Sequence, residues 1–223
     1  MNKISPDFSW DDVDTVLLDM DGTLLDKHFD DYFWETYVPE HYSLVHDISI
    51  QRAKEELLAT YKKVESTLVW TDLDYWSREL GLDIPELKIR VNNLIDVHPY
   101  VVDFLRYVKE IGKSLFLVTN AHSKTLDIKL RKTAIGKWFD KTICAEEVGL
   151  PKEDPEFWQG LQRFIPYDAK RTMLAEDTER ILVSAEKAGL RPLIYVARPS
   201  SRAPIRYSEK FPSIVYFNEL IRK

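Results

Sequence analysis

The chain has 223 residues, of which 44% are hydrophobic and 30% are charged. Such a composition predicts a folded globular protein, with one domain and an insertion or with two small domains, and excludes a disordered or fibrous chain. Lys and Arg total 31 against 37 Asp and Glu, which gives a formal net charge of −6. A nucleic-acid-binding protein usually carries a basic face, so no nucleic-acid partner is expected.

The single cysteine, Cys144, excludes an internal disulfide and a cluster of thiolate metal ligands. No apolar run approaches the ~20 residues that span a bilayer, and the first ten residues lack the basic-then-apolar order of a signal peptide. We therefore expect a cytoplasmic protein without a membrane partner. The sequence leaves the oligomeric state open.

Six short apolar segments, bounded by turn-forming residues, have the composition of buried strands. They are Thr15–Asp19, Ser114–Thr119, Thr142–Cys144, Thr172–Leu174, Leu193–Val196 and Ile214–Tyr216. From residue 98 onward these segments alternate with helical patterns, which predicts right-handed βαβ units. The expected fold class is therefore α/β, with a Rossmann-like parallel sheet and helices on both of its faces.

The segment between the first two predicted strands has helical patterns and no convincing strand pattern. Its length of about 70 residues far exceeds the dozen or so that one crossover needs. We therefore predict that residues 26–97 form an inserted helical lobe, and that residues 1–25 and 98–223 form the sheet-containing core.

Four predicted strands are followed by side chains that can carry chemistry. These side chains are Asp19, Asp21, Gly22 and Thr23 after the first strand, Thr119 and Asn120 after the second, Lys152 after the third, and Glu176 and Asp177 after the fourth. Ligands bind beyond the carboxyl ends of the strands in open α/β sheets. Each group alone is also explained by a turn, a helix cap or a solvated lysine. Together, the carboxylates fit a hard cation such as Mg²⁺, and the lysine and hydroxyl fit a phosphoryl group.

In this order, the motifs Asp19-x-Asp21-Gly22-Thr23, Thr119, Lys152 and Glu176-Asp177 resemble those of the haloacid dehalogenase (HAD) superfamily. The resemblance covers the predicted core and implies the HAD fold, with residues 26–97 as a helical cap of the first cap type. The phrases Asp31-Tyr-Phe-Trp34, Leu73-Asp-Tyr-Trp76 and Thr119-Asn-Ala-His122 resemble the purine 5′-nucleotidases that act on GMP and IMP.

The resemblance implies a catalytic role for four of these residues. Asp19 is the implied nucleophile, which forms an aspartyl-phosphate. Asp21 is implied to protonate the leaving alkoxide and then to activate water. Thr119 and Lys152 are implied to bind a phosphoryl oxygen and to balance negative charge. The implied substrate-binding residues are Gly22, Thr23 and Asn120.

Mg²⁺ is the implied cofactor. Its implied ligands are Asp19, the main-chain carbonyl of Asp21, Glu176 and Asp177. The fourth motif departs from its commonest form, because Glu176 stands where Asp is usual, as also happens in the phosphoglucomutase-like branch. Metal binding is still expected, and the choice of direct ligand between Glu176 and Asp177 is open.

The aromatic residues of the insertion have two interpretations. An aromatic face can stack on a purine, at about 1–3 kcal/mol per stacked base. A small helical lobe also needs large apolar side chains for its own core, so we expect at most one or two of them to touch a base. The residues concerned are Tyr32, Phe33, Trp34, Trp70, Tyr75 and Trp76.

The function that the sequence favours is a Mg²⁺-dependent phosphomonoesterase acting on purine 5′-mononucleotides. One alternative is another HAD phosphatase, or a phosphosugar mutase, acting on a different small phosphometabolite. A second alternative, ranked lower because every chemical position is filled, is a HAD-fold binding protein without turnover.

Overall fold

The computed structural model describes residues 3–65 and 67–222. Residues 1, 2, 66 and 223, which belong to the predicted core and insertion, lie outside the described residues. The strands are β1 Thr15–Leu18, β2 Ser114–Thr119, β3 Lys141–Cys144, β4 Thr172–Glu176, β5 Leu193–Val196 and β6 Ser213–Ile214. They form one sheet in the order β3-β2-β1-β4-β5-β6, with every neighbouring pair parallel. The predicted α/β class is confirmed.

Helices fill the segments between the strands. The α-helices are α1 His28–Tyr32, α2 Val38–Val45, α3 Ile50–Val64, α4 Leu68–Thr71, α5 Leu73–Leu80, α6 Ile84–Arg90, α7 Val101–Glu110, α8 Ser123–Thr133, α9 Ala145–Val148, α10 Pro155–Leu161 and α11 Glu179–Lys187. A π-helical turn, Phe33–Tyr37, joins α1 to α2. Short 3-10 turns cover Trp10–Asp12, Asn92–Leu94, Ile135–Trp138, Ala169–Arg171 and Phe217–Leu220. None of the helices in the described ranges combines the length and apolarity needed to cross a membrane.

Alternate residues of β1 pack on opposite faces of the sheet, as the pleat of a strand requires. Val16 and Leu18 belong to a core shared with α7 and α8. Leu17 belongs to a second core, on the other face, shared with α10 and α11. Each fully buried side chain of this kind stabilises the fold by about 1.5–3 kcal/mol. The two cores fix β1 at the centre of the sheet and so fix the position of the residue that follows it.

The residues between β1 and α7 are helical and have a third core of their own. Phe33, Leu57, Trp76 and Leu87 are buried there. The Trp76 indole nitrogen donates a hydrogen bond to the Trp70 carbonyl at 2.7 Å. Phe33 and Trp76 therefore follow the packing interpretation, since both side chains are fully buried. The boundaries at residues 26–97 stay a prediction.

The two chain connections between this helical segment and the sheet run side by side. Leu25 and Val97 form an antiparallel bridge. The Asp26 amide donates to the Asp96 carbonyl at 2.9 Å. The helical segment therefore joins the sheet next to the end of β1, above the carboxyl edge of the strands.

Candidate active site

The carboxyl ends of β1, β2 and β4 open onto a cavity of about 620 Å³. β1 stops at Leu18, one residue earlier than predicted, so Asp19 stands just beyond the strand. Parallel strands bring their carboxyl ends to one edge, which is why groups distant in sequence meet here. Seven of the predicted site residues line the cavity, namely Asp19, Asp21, Thr119, Asn120, Lys152, Glu176 and Asp177.

Lys152 is the central cation of this edge and is fully buried. Its ammonium donates to Asp19 Oδ1 at 2.6 Å and to Glu176 Oε2 at 2.7 Å. The Lys152 amide donates to the Asn120 side-chain oxygen at 3.0 Å, which fixes the loop. Burial disfavours the charged amine, but the two carboxylates outweigh this effect and raise the pKa of Lys152. The side chain therefore stays cationic between its two partners.

Asp19, Glu176 and Asp177 place one carboxylate oxygen each within 4.8 Å of the others. Burial raises the pKa of Asp19 to about 6, with the Glu176 charge adding to the shift and Lys152 opposing it. Burial also raises the pKa of Glu176 to about 8 and that of Asp177 to about 6. Three carboxylates packed together resist ionisation unless positive charge lies nearby, so the cluster suits a cation.

The absence of a side chain at Gly22 leaves space for the Asp177 carboxylate. A Cβ atom at position 22 would lie 2.4 Å from Asp177 Oδ2, and the backbone there has φ of +83°. Only glycine satisfies both conditions without a shift. The oxygen donor set and this space fit Mg²⁺, which prefers oxygen ligands.

Thr23 is fully buried, and Gly22 and Thr23 are not among the residues that line the cavity. The Thr23 hydroxyl has no hydrogen-bond partner among the described residues. Their assignment as substrate-binding residues therefore stays a prediction.

Asp21 belongs to a second charged group, which sequence reasoning missed. The Lys129 ammonium donates to Asp21 Oδ1 at 2.6 Å and to Asp30 Oδ2 at 2.5 Å. Lys88 donates to the other oxygen of Asp30 at 3.3 Å. Burial raises the pKa of Asp21 to about 6, and the Lys129 charge opposes the shift. One signal was available, because Lys129 stands three residues after Leu126 on the buried face of α8.

The insertion supplies the opposite wall of the cavity. Trp34 and Trp70 both line it, with ring centroids 6.4 Å apart and planes inclined by 32°. Tyr61, which the sequence did not single out, also lines it. Its hydroxyl is buried without a hydrogen-bond partner in the described part of the chain.

The first turns of α5 and α8 tie the insertion to the core. Asp72 caps α5 by accepting hydrogen bonds from the Asp74 and Tyr75 amides. Asp74 Oδ1 accepts a hydrogen bond from the Lys124 ammonium at 2.5 Å. His122 caps α8, lines the cavity and lies 3.3 Å from a Glu146 carboxylate oxygen. Asp74 of α5 and Lys124 of α8 thus form an ion pair between the insertion and the core.

The chain resembles known proteins in both sequence and fold. The family model described as haloacid dehalogenase-like hydrolase matches residues 13–189. The chain is 38% identical to the GMP/IMP nucleotidase YrfG of Escherichia coli (strain K12) over 213 residues, 96% of each chain. It is 24% identical to a phosphorylated carbohydrates phosphatase of Thermotoga maritima over 187 residues, 80% of this chain and 82% of that one. A solved HAD phosphatase from Thermococcus onnurineus superimposes with a TM-score of 0.78 at 21% identity, covering 93% of this chain and 96% of that one.

Proposed function

Because the chain belongs to the haloacid dehalogenase-like hydrolase family and is a phosphatase of that family, we propose that it hydrolyses purine 5′-mononucleotides of the GMP and IMP type. The observation that carries the chemistry is the buried ion pair between Lys152 and Asp19, 2.6 Å long, beside the carboxylate cluster. The 38% identity to a GMP/IMP nucleotidase over 96% of the chain supports the substrate class.

Asp19 acts as the nucleophile in this proposal. Its carboxylate forms a bond to phosphorus while the bond from phosphorus to the ribose 5′ oxygen breaks. Asp21 gives its proton to the departing oxygen, which leaves as the nucleoside hydroxyl. Asp21 then takes a proton from water, which attacks the aspartyl-phosphate and releases inorganic phosphate and the free Asp19 carboxylate.

Lys152 and Thr119 offset the negative charge that an anionic nucleophile meets at a phosphate. Lys152 holds Asp19 and brings a positive charge to the site. The Thr119 hydroxyl oxygen accepts a hydrogen bond from the Ala121 amide at 3.0 Å. Its hydroxyl hydrogen is therefore left to be donated to a phosphoryl oxygen.

We assign Mg²⁺ to Asp19, Asp177 and the Asp21 main-chain carbonyl; when bound, the ion supplies positive charge to the transferring phosphoryl group. Glu176 already has partners for both oxygens. Oε2 accepts from Lys152 at 2.7 Å, and Oε1 accepts from the Asp177 and Thr178 amides at 3.1 Å each. We therefore propose that Asp177 is the direct ligand and that Glu176 orients Lys152 and the turn that carries Asp177.

The cavity has the size and lining for a mononucleotide. Its volume of about 620 Å³ lies inside the roughly 300–1,000 Å³ typical of ligand pockets. We propose that Trp34 and Trp70 hold the base, since stacking contributes about 1–3 kcal/mol per base. Trp34 and Trp70 are two of the six candidate aromatic residues.

A cytoplasmic location stays a prediction.

The proposal is tested by phosphate release from GMP, IMP, AMP and a panel of sugar phosphates, with and without Mg²⁺. Asp19→Asn is the inactive variant, and Asp127→Asn, on the exposed side of α8, is the matched control. We expect GMP and IMP to be preferred, with turnover lost in Asp19→Asn and retained in Asp127→Asn. Turnover on sugar phosphates alone would discard the nucleotide assignment, and full turnover in Asp19→Asn would discard the mechanism.

A further inference from the structure

The charged group formed by Asp21, Lys129, Asp30 and Lys88 lies beside the reacting centre. We propose that Lys129 is a positioning residue for the acid Asp21, and that Asp30 and Lys88 hold Lys129 in place. The inference rests on the proposed function, because it takes Asp21 as the donor of the leaving-group proton.

Lys129 reaches Asp21 from a different element. It projects from α8 and its side chain is 1% exposed, whereas the Asp21 side chain is 25% exposed and lines the cavity. The ammonium is bonded to one Asp21 oxygen at 2.6 Å, so the carboxylate plane cannot turn freely. A proton donor must stay within hydrogen-bond reach of the departing oxygen, so this restraint bears directly on its efficiency.

A lysine at this buried position is not explained by packing. Its neighbours on the same face of α8 include Leu126, which belongs to the core that β1 shares with α7 and α8. An apolar side chain of similar length would fill the space without the cost of burying an ammonium group. The retained charge is instead directed at two carboxylates, of Asp21 and Asp30.

Asp30 and Lys88 connect this arrangement to the insertion. Asp30 lies on α1 and bridges Lys129 to Lys88, which projects from α6 and is 1% exposed. The Lys88 ammonium also lies 4.3 Å from the centre of the Phe33 ring and 5.0 Å from that of Phe29. Cation–π contacts of this kind hold the ammonium without removing its charge. The position of the insertion is thus coupled to the orientation of Asp21.

The chemistry of the leaving group separates positioning from a purely structural role. A ribose 5′ alkoxide is strongly basic and leaves only when it is protonated, whereas 4-nitrophenolate is a stable anion that leaves without a proton. The value of kcat/KM covers the steps up to release of the leaving group, so it does not include hydrolysis of the aspartyl-phosphate. A misplaced Asp21 therefore lowers kcat/KM for GMP far more than for 4-nitrophenyl phosphate.

The experiment measures kcat/KM for both substrates, with Mg²⁺ present, in the full chain and in four variants. Lys129→Met removes the bond to Asp21, Lys129→Arg keeps a cationic donor, and Asp21→Asn is the reference for a lost proton donor. Lys132→Met, on the exposed side of α8, is the matched control. The ratio of the two kcat/KM values is independent of the fraction of folded protein, so reduced stability does not disturb it.

We expect Lys129→Met to lower kcat/KM for GMP by at least about tenfold and that for 4-nitrophenyl phosphate by less than about threefold. The loss in kcat/KM for GMP should be smaller in Lys129→Met than in Asp21→Asn, for which a loss of roughly 10²–10⁴-fold is expected. Lys129→Arg should restore part of the ratio, and Lys132→Met should leave it unchanged. If Lys129→Met yields no soluble protein, Asp30→Asn takes its place in the test. We then expect the ratio of kcat/KM for GMP to that for 4-nitrophenyl phosphate to fall, by less than in Lys129→Met.

An unchanged ratio in Lys129→Met, with Asp21→Asn showing the leaving-group effect, would overturn the inference and leave the proposed function intact. Equal losses on both substrates in Lys129→Met would overturn it as well, because they indicate a structural role. An absence of GMP turnover in the unmodified chain would instead refute the proposed function.

Discussion

Replacement of Gly22 by alanine tests the geometry of the proposed metal site most directly. The added Cβ atom would lie 2.4 Å from Asp177 Oδ2 and 2.7 Å from Asp177 Cγ. Real Cβ contacts are essentially never shorter than 3.0 Å, so Oδ2 must move by at least 3.0 − 2.4 = 0.6 Å. Pro199 Cβ, 3.0 Å away, closes another side and limits the space for a backbone shift.

This displacement is large compared with the tolerance of a metal site. Ligand distances are normally kept within about 0.2 Å, so a shift of 0.6 Å takes Asp177 out of range. Changes of this kind cost about 10–100-fold in metal affinity. The positive φ of +83° adds a backbone cost of about 1–2 kcal/mol for any residue with a Cβ atom.

Gly112→Ala separates the two effects. Gly112 has φ of +72°, and its Cβ would meet nothing within 4 Å. Gly112→Ala should lose about 1–2 kcal/mol in the free energy of unfolding, and Gly22→Ala should lose at least as much, because its Cβ atom also contacts Asp177. In a Mg²⁺ titration of phosphate release, only Gly22→Ala should show an apparent affinity about 10–100-fold weaker. Unchanged Mg²⁺ dependence in a folded Gly22→Ala protein would refute the assignment of Asp177 as a direct ligand.

Three further predictions concern stability and metal removal. Trp76→Ala should lower the free energy of unfolding by about 3–5 kcal/mol in a urea titration, and a loss under about 1 kcal/mol would contradict its place in the core of the insertion. A chelator should abolish turnover, and Mg²⁺ at 100 times its Kd should restore it and stabilise the fold by about 2.7 kcal/mol; full activity in the chelator would exclude the metal. Burial holds the pKa of His98 below its usual 6.5, so unfolding should become easier as pH falls from 6.5 through the folded pKa. His98→Asn should reduce that pH slope, and an identical slope would contradict the prediction.

Much of the fold could be predicted because strand and helix patterns are local. All six strands appear within two residues of their predicted bounds. β4 is longer than predicted, since it continues to Glu176. The predicted strand stops at Leu174, but the bond from Lys152 allows the Glu176 carboxylate to be buried at the end of β4.

The edge of the sheet was predictable and the contacts above it were not. Strand order places Asp19, Thr119 and Lys152 together, because parallel strands share one carboxyl edge. The contact between Lys129 and Asp21 joins residues 108 positions apart on elements whose relative rotation no sequence pattern gives. Likewise, nothing in the sequence distinguished Trp34, which lines the cavity, from its buried neighbour Phe33.

The bridge between Leu25 and Val97 has a consequence for how such a protein can change over generations. Both ends of the insertion meet at one point of the core, so the insertion forms a loop whose two ends are held together there. The entropic cost of closing such a loop varies only slowly with the number of residues in it. A helical segment of another length or sequence could be inserted at the same point of the core, while Asp19, Lys152 and Asp177 keep their positions. New substrate preferences can then arise by exchange of one contiguous stretch of gene, without rebuilding the chemistry beneath it.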